Sequence, residues 1–303
     1  MQRLLTVGRA RRGVVTAALA ASVGVDEHGL VAARRTGTLV RLRRDTYVLG
    51  EVWRIAGPEE RLALRARAVL ASRDDEAVVG HEAAVALHGL PLLTPVPSVV
   101  DLESAVTRTR LHGTVRVSPR GPEPCVVADG YRVVPAAVAI AQVTLRAGLR
   151  SGLVALDAAL ARRALGLEEV AAALDLRVTG PGSRRRAETL LRVADGASES
   201  PGETLTRLVL HDLGLTPESQ VTIRDEAGRF VARVDLLVGG RVVVEFDGAL
   251  KYGGADGRAA LVAEKRREDE LRSLGYVVVR VTWADLDDPV RLCRLLRRAL
   301  AAA

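Results

Sequence analysis

The sequence predicts a mixed α+β protein with several domains. Helix-like and strand-like hydrophobic periods alternate along its 303 residues, and the strand-like runs are short. A small polar stretch, GASESPG at residues 196–202, separates the C-terminal third from the rest. We therefore predict domains at residues 1–50, 51–195 and 196–303.

Composition limits the classes of function. The net charge of +7 favours a polyanionic partner, although an arginine-rich composition produces the same excess. The cysteines, Cys125 and Cys293, are far apart and the five histidines are scattered, which argues against a zinc site. With no signal-peptide pattern and no apolar run approaching ~20 residues, we expect a cytoplasmic protein without a membrane span.

Residues 1–50 predict a winged helix-turn-helix. A helix at 16–22 is followed by a turn, and Asp26 and Gly37 delimit a second helix. Residues 39–49 alternate like two short strands. The order predicts a recognition helix carrying Arg34 and Arg35, and a wing carrying Arg41, Arg43 and Arg44. Such arginines suit DNA phosphates and bases, whereas the alternative is a solvated basic face on a protein-interaction wing.

Two segments of this half resemble a known family. They are VVTAALAASVGVDEHGLVAARRTGTLVRLRRDTYVLG (14–50) and HEAAVALHGLPL (81–92), and they resemble antitoxins of abortive-infection, type IV toxin–antitoxin systems. The resemblance implies a winged-helix domain and, as partner, a cognate toxin or another defence protein.

The middle region, residues 51–195, predicts helices with a few short strands. His81 and His88 have no acidic or cysteine partner at a ligand spacing, so we interpret them as core or capping residues. We expect helices at 58–72, 82–88, 135–163, 167–174 and from 180, and strands at 98–102, 114–118 and 131–134.

The C-terminal region predicts an αβββαβ domain with a three- or four-stranded mixed sheet. Its first helix begins strongly, because Ser200 can cap it, Pro201 suits its first position and Glu203 completes a capping box. The remaining elements are expected at 219–224, in a hairpin within 229–248, and at 258–274, 276–281 and 289–301.

The hairpin RFVARVDLLVGGRVVVEFDG (229–248) carries three carboxylates in strands otherwise suited to burial. A three-residue loop that includes Gly239 and Gly240 pairs Asp235 with Glu245 on one face, whereas a two-residue loop mixes polar and apolar faces. The same register sets Asp247 against Arg233, so a cross-strand salt bridge can explain Asp247. For Asp235 and Glu245 no cation is obviously placed opposite, so a bound metal is the most economical explanation.

Four segments of this domain resemble the PD-(D/E)xK nuclease superfamily, and more closely the uncharacterised bacterial family related to very-short-patch-repair endonucleases. They are VDLLV (234–238), VVVEFDG (242–248), KRREDELRSLGY (265–276) and VVRVTW (278–283). The resemblance implies a restriction-endonuclease-like fold with Mg²⁺ or Mn²⁺ held by Asp235 and Glu245. Glu203 matches a helix glutamate that often assists.

The resemblance leaves the catalytic base open. Asp247 stands where a lysine is expected, a departure that the narrower family shares, and Lys251 and Lys265 are the nearest lysines. The helix that carries Lys265 has an apolar stripe at Leu271 and Leu274 that becomes charged toward its N-terminus. We expect that charged end to overlook the carboxylate face of the sheet.

The leading hypothesis is a DNA-binding protein with a metal-dependent endonuclease-like domain that hydrolyses phosphodiesters, in phage defence or DNA repair. The alternative is a non-catalytic DNA-binding antitoxin or transcriptional regulator with a degenerate nuclease fold. A third hypothesis is a protein-interaction module in phage defence that does not contact nucleic acid.

Overall fold

The computed structural model describes residues 1–73, 76–248 and 257–302, and it confirms the mixed α+β class. The chain divides into two compact units. The first comprises Met1–Ala155 and Leu165–Ala187, and the second comprises Leu156–Ala164 and Glu188–Ala303. None of the described helices is both long and apolar enough to cross a membrane.

The first unit begins with a small three-stranded sheet in the order β1-β3-β2, surrounded by helices. Thr16 caps α2 by accepting from the Leu19 N–H, and Asp26 caps α3 by accepting from the Gly29 N–H, as predicted for Asp26. The elements are α1 (Gln2–Ala10), β1 (Val14–Thr16), α2 (Ala17–Ser22), α3 (Glu27–Arg35), β2 (Leu39–Arg43), β3 (Thr46–Leu49), α4 (Gly50–Ile55) and α5 (Pro58–Leu70).

A six-stranded sheet with the order β6-β7-β5-β4-β9-β8 follows in the same unit. Its elements are β4 (Val78–Val79), α6 (His81–Leu87), β5 (Val100–Ser104), β6 (Arg110–His112), β7 (Val115–Pro119), β8 (Val126–Ala128), β9 (Tyr131–Val133), α7 (Ala136–Ala147), α8 (Leu149–Ala161), α9 (Leu167–Asp175) and α10 (Pro181–Val193). The sequence did not indicate β4, β6 and β8, which have only two or three residues each, although it did indicate the equally short β9.

Both histidines of the segment 81–92 are part of the packing of this unit. The His81 backbone N–H donates to Gln142 Oε1 at 2.8 Å, and His88 Nε2 lies 2.9 Å from the Val134 carbonyl oxygen. The ring contact of His88 agrees with its interpretation as a core or capping residue, whereas the His81 contact is made by its backbone.

The second unit contains a mixed four-stranded sheet in the order β10-β11-β12-β13. The first three strands are antiparallel, and β13 runs parallel to β12. The last turns of α8 and α10 also belong to this unit. Its further elements are α11 (Pro201–Asp212), β10 (Glu218–Arg224), β11 (Phe230–Val238), β12 (Val242–Phe246), α12 (Gly257–Ser273), β13 (Val277–Val281), α13 (Trp283–Leu286) and α14 (Pro289–Ala302).

The register predicted for the hairpin is confirmed. Val238 pairs with Val242 and Leu236 with Val244, across a three-residue loop. Gly239 and Gly240 occupy this loop with φ of 58° and 70°, a conformation that glycine adopts without steric cost.

On one face of the sheet, the side chains of β11 and β12 are apolar near the hairpin loop and acidic toward the opposite end of the hairpin. Leu271 of α12 packs in one apolar cluster with Leu237 and Val243, and Leu274 lies against the same cluster. The strand positions two residues further from the loop on that face are Asp235 and Glu245.

Candidate functional site

Asp235 and Glu245 lie where the β11–β12 ladder ends. The last backbone pair joins Leu236 to Val244, and the next residue on each strand is one of the two acids. Beyond that pair the Phe246 N–H donates to Asp235 Oδ2 at 2.9 Å. The structure therefore brings together the two residues that the sequence predicted as a metal-binding pair.

Glu203 joins this pair from the first turn of α11. Ser200 Oγ accepts from the Glu203 N–H at 3.2 Å and donates to Glu203 Oε1 at 2.8 Å, so the predicted Ser200 cap is confirmed. The other oxygen, Oε2, accepts from the Glu199 N–H at 2.8 Å and from Gln220 Nε2 at 2.9 Å. The predicted capping box differs, because the Glu203 carboxylate accepts from the Glu199 N–H and not from the Ser200 N–H. Glu203 therefore makes contacts beyond those needed to cap the helix.

Gln220 is a further site residue, which the sequence did not predict. It lies between Ser219, which pairs with Leu236, and Val221, which pairs with Val234, and is therefore level with Asp235. Its φ of 55° is unusual for a residue other than glycine, and such strain often occurs at functional sites. A single glutamine in a strand-like run offers no sequence signal for this role.

Close packing holds the start of α11 against the end of β12. A Cβ on Gly202 would lie only 2.0 Å from the Phe246 ring, so only glycine allows this approach. Phe246 in turn packs edge-on against Trp283, with ring centroids 5.0 Å apart. This contact fixes the position of Glu203 relative to the two strand carboxylates.

The three acids Glu203, Asp235 and Glu245 all have raised pKa values. Burial is the largest influence on each, and it raises the pKa of Glu203, Asp235 and Glu245 above the ordinary carboxyl range. The negative charge of Asp235 raises the pKa of both Glu203 and Glu245 further. Such a cluster of partly buried, mutually repelling carboxylates is stabilised by a cation.

The expectation that no cation lies near the pair is wrong. Arg267 Nη2 lies 3.2 Å from both Oε1 and Oε2 of Glu245. Arg280 pairs in register with Glu245 on β13, but its guanidinium binds Glu264 at 2.6 Å and Glu268 at 2.8 Å. The charged half of α12 thus overlooks the carboxylate face, as its sequence predicted.

The other predicted catalytic residues are Lys265, Lys251 and Asp247. Lys265 is exposed on α12, and Lys251 lies outside the described residues. The Asp247 backbone N–H donates to the Val281 carbonyl at 2.8 Å, and its charge helps to raise the pKa of Arg280. Arg233, the predicted partner of Asp247, forms an ion pair with Glu199.

The donor set suits a hard divalent ion. Mg²⁺ prefers oxygen ligands and commonly uses one or two carboxylates plus water, which Asp235 and Glu245 can supply. Across residues 1–73, 76–248 and 257–302, no three His, Cys, Asp or Glu side chains are arranged to hold a metal by themselves. Water ligands would therefore complete the coordination of such an ion.

The predicted nucleic-acid-binding arginines separate into two groups. Arg34, Arg35 and Arg41 line one groove of about 440 Å³ between α3 and β2, whose floor includes the apolar residues Val31, Leu39 and Val40. Arg43 and Arg44 lie at the tip of the β2–β3 hairpin, outside this groove, and Arg44 is exposed near Asp45.

No protein-family model matches the chain, and no curated protein matches it either.

Proposed function

We propose that the second unit is a nuclease-like domain of the PD-(D/E)xK type, which hydrolyses phosphodiesters with Mg²⁺ or Mn²⁺. The observation that carries the proposal is the meeting of Asp235 and Glu245 at the end of one hairpin, with their pKa values raised and Glu203 beside them. The αβββαβ order of α11 to β13 supports the same fold type.

In this proposal two residues hold the metal ion, and neighbouring groups keep the carboxylates in place. Asp235 and Glu245 would hold the ion through carboxylate oxygens, and a bound ion would supply an activated water and offset phosphate charge. The Phe246 N–H fixes the Asp235 carboxylate, while Ser200 and Gln220 fix Glu203. Metal-dependent hydrolysis requires carboxylates that are held in place in this way.

Plasmid cleavage tests the catalytic proposal. Supercoiled plasmid should be nicked by the parent protein with Mg²⁺ or Mn²⁺ and left intact with EDTA. Asp235→Asn and Glu245→Gln keep the side-chain shape but weaken metal binding, so both should lose about 100-fold or more in rate. Asp269→Asn, on the exposed side of α12, is the matched control. Unchanged cleavage by the two site variants would refute the proposal.

We also propose that residues 1–50 form a winged helix that binds DNA through α3 and the β2–β3 hairpin. The order α1, β1, α2, α3, β2, β3 is that of a winged helix, and the arginine-lined groove lies between its recognition helix and wing. A cognate toxin or another defence protein remains a proposed partner on the antitoxin resemblance alone.

Salt dependence tests the DNA-binding proposal. A triple variant of Arg34, Arg35 and Arg41 to alanine should bind duplex DNA more weakly, with a salt slope smaller by about 1 per lost phosphate contact. Arg108→Ala, an exposed arginine in a loop, should change neither quantity. A salt-independent affinity, or none, would favour the protein-interaction hypothesis.

One observation favours the non-catalytic alternative, an antitoxin or transcriptional regulator with a degenerate nuclease fold. Arg267 already forms an ion pair with Glu245, one of the two proposed metal ligands. That function predicts DNA binding by the parent protein without cleavage in Mg²⁺ or Mn²⁺.

A further inference from the structure

Arg267 is the cation of the carboxylate site. Among the described side chains it alone forms an ion pair with Glu245, and its own side chain is 36% exposed. The neighbouring Arg280 is held by two glutamates of α12, and Lys265 is exposed to solvent on the same helix. Arg267 is therefore the positive group at the site that is least committed to other partners.

The contact between Arg267 and Glu245 is loose compared with other arginine–carboxylate pairs in this protein. A single nitrogen faces both oxygens at 3.2 Å. By contrast, Arg177 binds Glu123 with two nitrogens at 2.5 and 2.7 Å, and Arg146 binds Asp101 with two at 2.5 and 2.8 Å. Fork-like pairs of that kind are strong, whereas one nitrogen at longer range can be displaced.

We infer that Arg267 is an exchangeable counter-ion, which yields Glu245 to a divalent cation and then offers its guanidinium to the substrate phosphate. The inference rests on the proposed metal site at Asp235 and Glu245. A divalent ion carries twice the charge of a guanidinium and can bind both carboxylates, so it replaces Arg267 at Glu245.

Once displaced, the Arg267 side chain remains anchored to α12 beside the carboxylate face. Its planar fork of N–H donors matches the oxygens of a phosphodiester. The exchange would couple metal binding to phosphate binding, because each step frees the group that the other needs. It would also supply the positive charge that the missing lysine leaves unassigned.

Metal affinity provides a test that does not depend on cleavage. Mn²⁺ binding is measured on the full chain by following free Mn²⁺ by electron paramagnetic resonance. Arg267→Gln removes the competitor for Glu245 and should tighten Mn²⁺ binding roughly tenfold. Arg267→Lys keeps a competing charge and should stay near the parent. Arg266→Gln, at an exposed position of the same helix, is the matched control and should change binding less than twofold. An unchanged affinity in Arg267→Gln overturns the inference.

DNA affinity tests the second half of the exchange. In the parent protein, Ca²⁺ should strengthen the binding of a short fluorescent duplex, since it frees Arg267 without supporting cleavage. In Arg267→Gln this gain should be smaller, because only the charge of the ion then acts on the phosphate, and an undiminished gain overturns the role of Arg267 in phosphate binding. If Asp235→Asn binds Mn²⁺ as tightly as the parent protein does, the proposed metal site fails, and the inference fails with it. If Asp235→Asn weakens Mn²⁺ binding but Arg267→Gln does not alter it, only the inference fails.

Discussion

Burial places three carboxyl groups of the second unit in an unfavourable environment for charge. Glu203, Asp235 and Glu245 all have a raised pKa, and folding therefore favours their protonated forms. Their contribution to stability is present below the pKa of the unfolded chain and is lost as the pH rises through the folded pKa. Functional sites commonly lower the stability of a protein, as these buried carboxylates do.

Asp235→Asn should stabilise the metal-free protein at pH 8, by on the order of 1 kcal/mol. The asparagine oxygen can still accept the Phe246 N–H, while the buried charge is removed. The gain should shrink at pH 4, near the ordinary pKa of aspartate, because the raised pKa of Asp235 keeps more of the parent's folded form protonated there. Urea unfolding at both pH values measures the difference, and Asp269→Asn should show none. A loss of stability, or an equal gain at both pH values, would contradict the electrostatic explanation.

At the scale of elements, the hairpin loop sets the register that brings the acids together. Gly240 has a φ of 70° and open space where a methyl group would lie, so backbone strain is the only cost of a side chain there. Gly240→Ala should therefore destabilise the second unit by about 1–2 kcal/mol. Gly248→Ala, where φ is not left-handed and the nearest atom is 3.8 Å away, should cost less. Thermal unfolding compares the two, and equal costs would argue against the strain.

The contact of α11 with β12 gives a second prediction at this scale. A methyl group on Gly202 would overlap the Phe246 ring, so Gly202→Ala should cost about 1–3 kcal/mol and displace Glu203. Gly182 offers a matched control, since it also follows the proline that begins a helix but has no atom within 4 Å. Gly182→Ala should be neutral or slightly stabilising. Thermal melts of both variants decide between packing and helix propensity.

At the scale of the whole molecule, the second unit includes residues that precede the composition boundary at 196. Arg207 of α11 is 2% exposed and forms an ion pair with Asp157 of α8, which is also buried. Asp157 further accepts from the Asp195 N–H at 2.9 Å and from Thr204 Oγ1 at 2.8 Å. The chain therefore completes this unit with a segment far from it in sequence.

Removing one partner of this buried pair should destabilise the second unit selectively. Arg207→Leu leaves Asp157 without its cation and should cost about 3–5 kcal/mol. The double change Asp157→Leu with Arg207→Leu should recover much of that loss, because no fully buried charge is then left unpaired. Hydrogen exchange at α11 measures the effect, with α5 of the first unit as the internal reference. Equal loss of protection in both helices would mean that the pair does not stabilise one unit specifically.

Local physical chemistry let the sequence alone determine several of the elements and the hairpin register. The caps at Asp26 and Ser200 and the glycines at 239 and 240 each act within a few residues of the element they delimit. Period-two alternation determined that Asp235 and Glu245 share a face, because a slip by one residue would bury polar side chains. The candidate metal pair was predictable for this reason.

Only the tertiary structure decided which side chains complete the site. Arg267 reaches Glu245 because α12 lies across the sheet, and Gln220 reaches Glu203 because β10 pairs with β11 beside α11. The partner of Arg207 lies 50 residues away along the chain. Such meetings depend on strand order and helix placement, for which no residue carries a local signal.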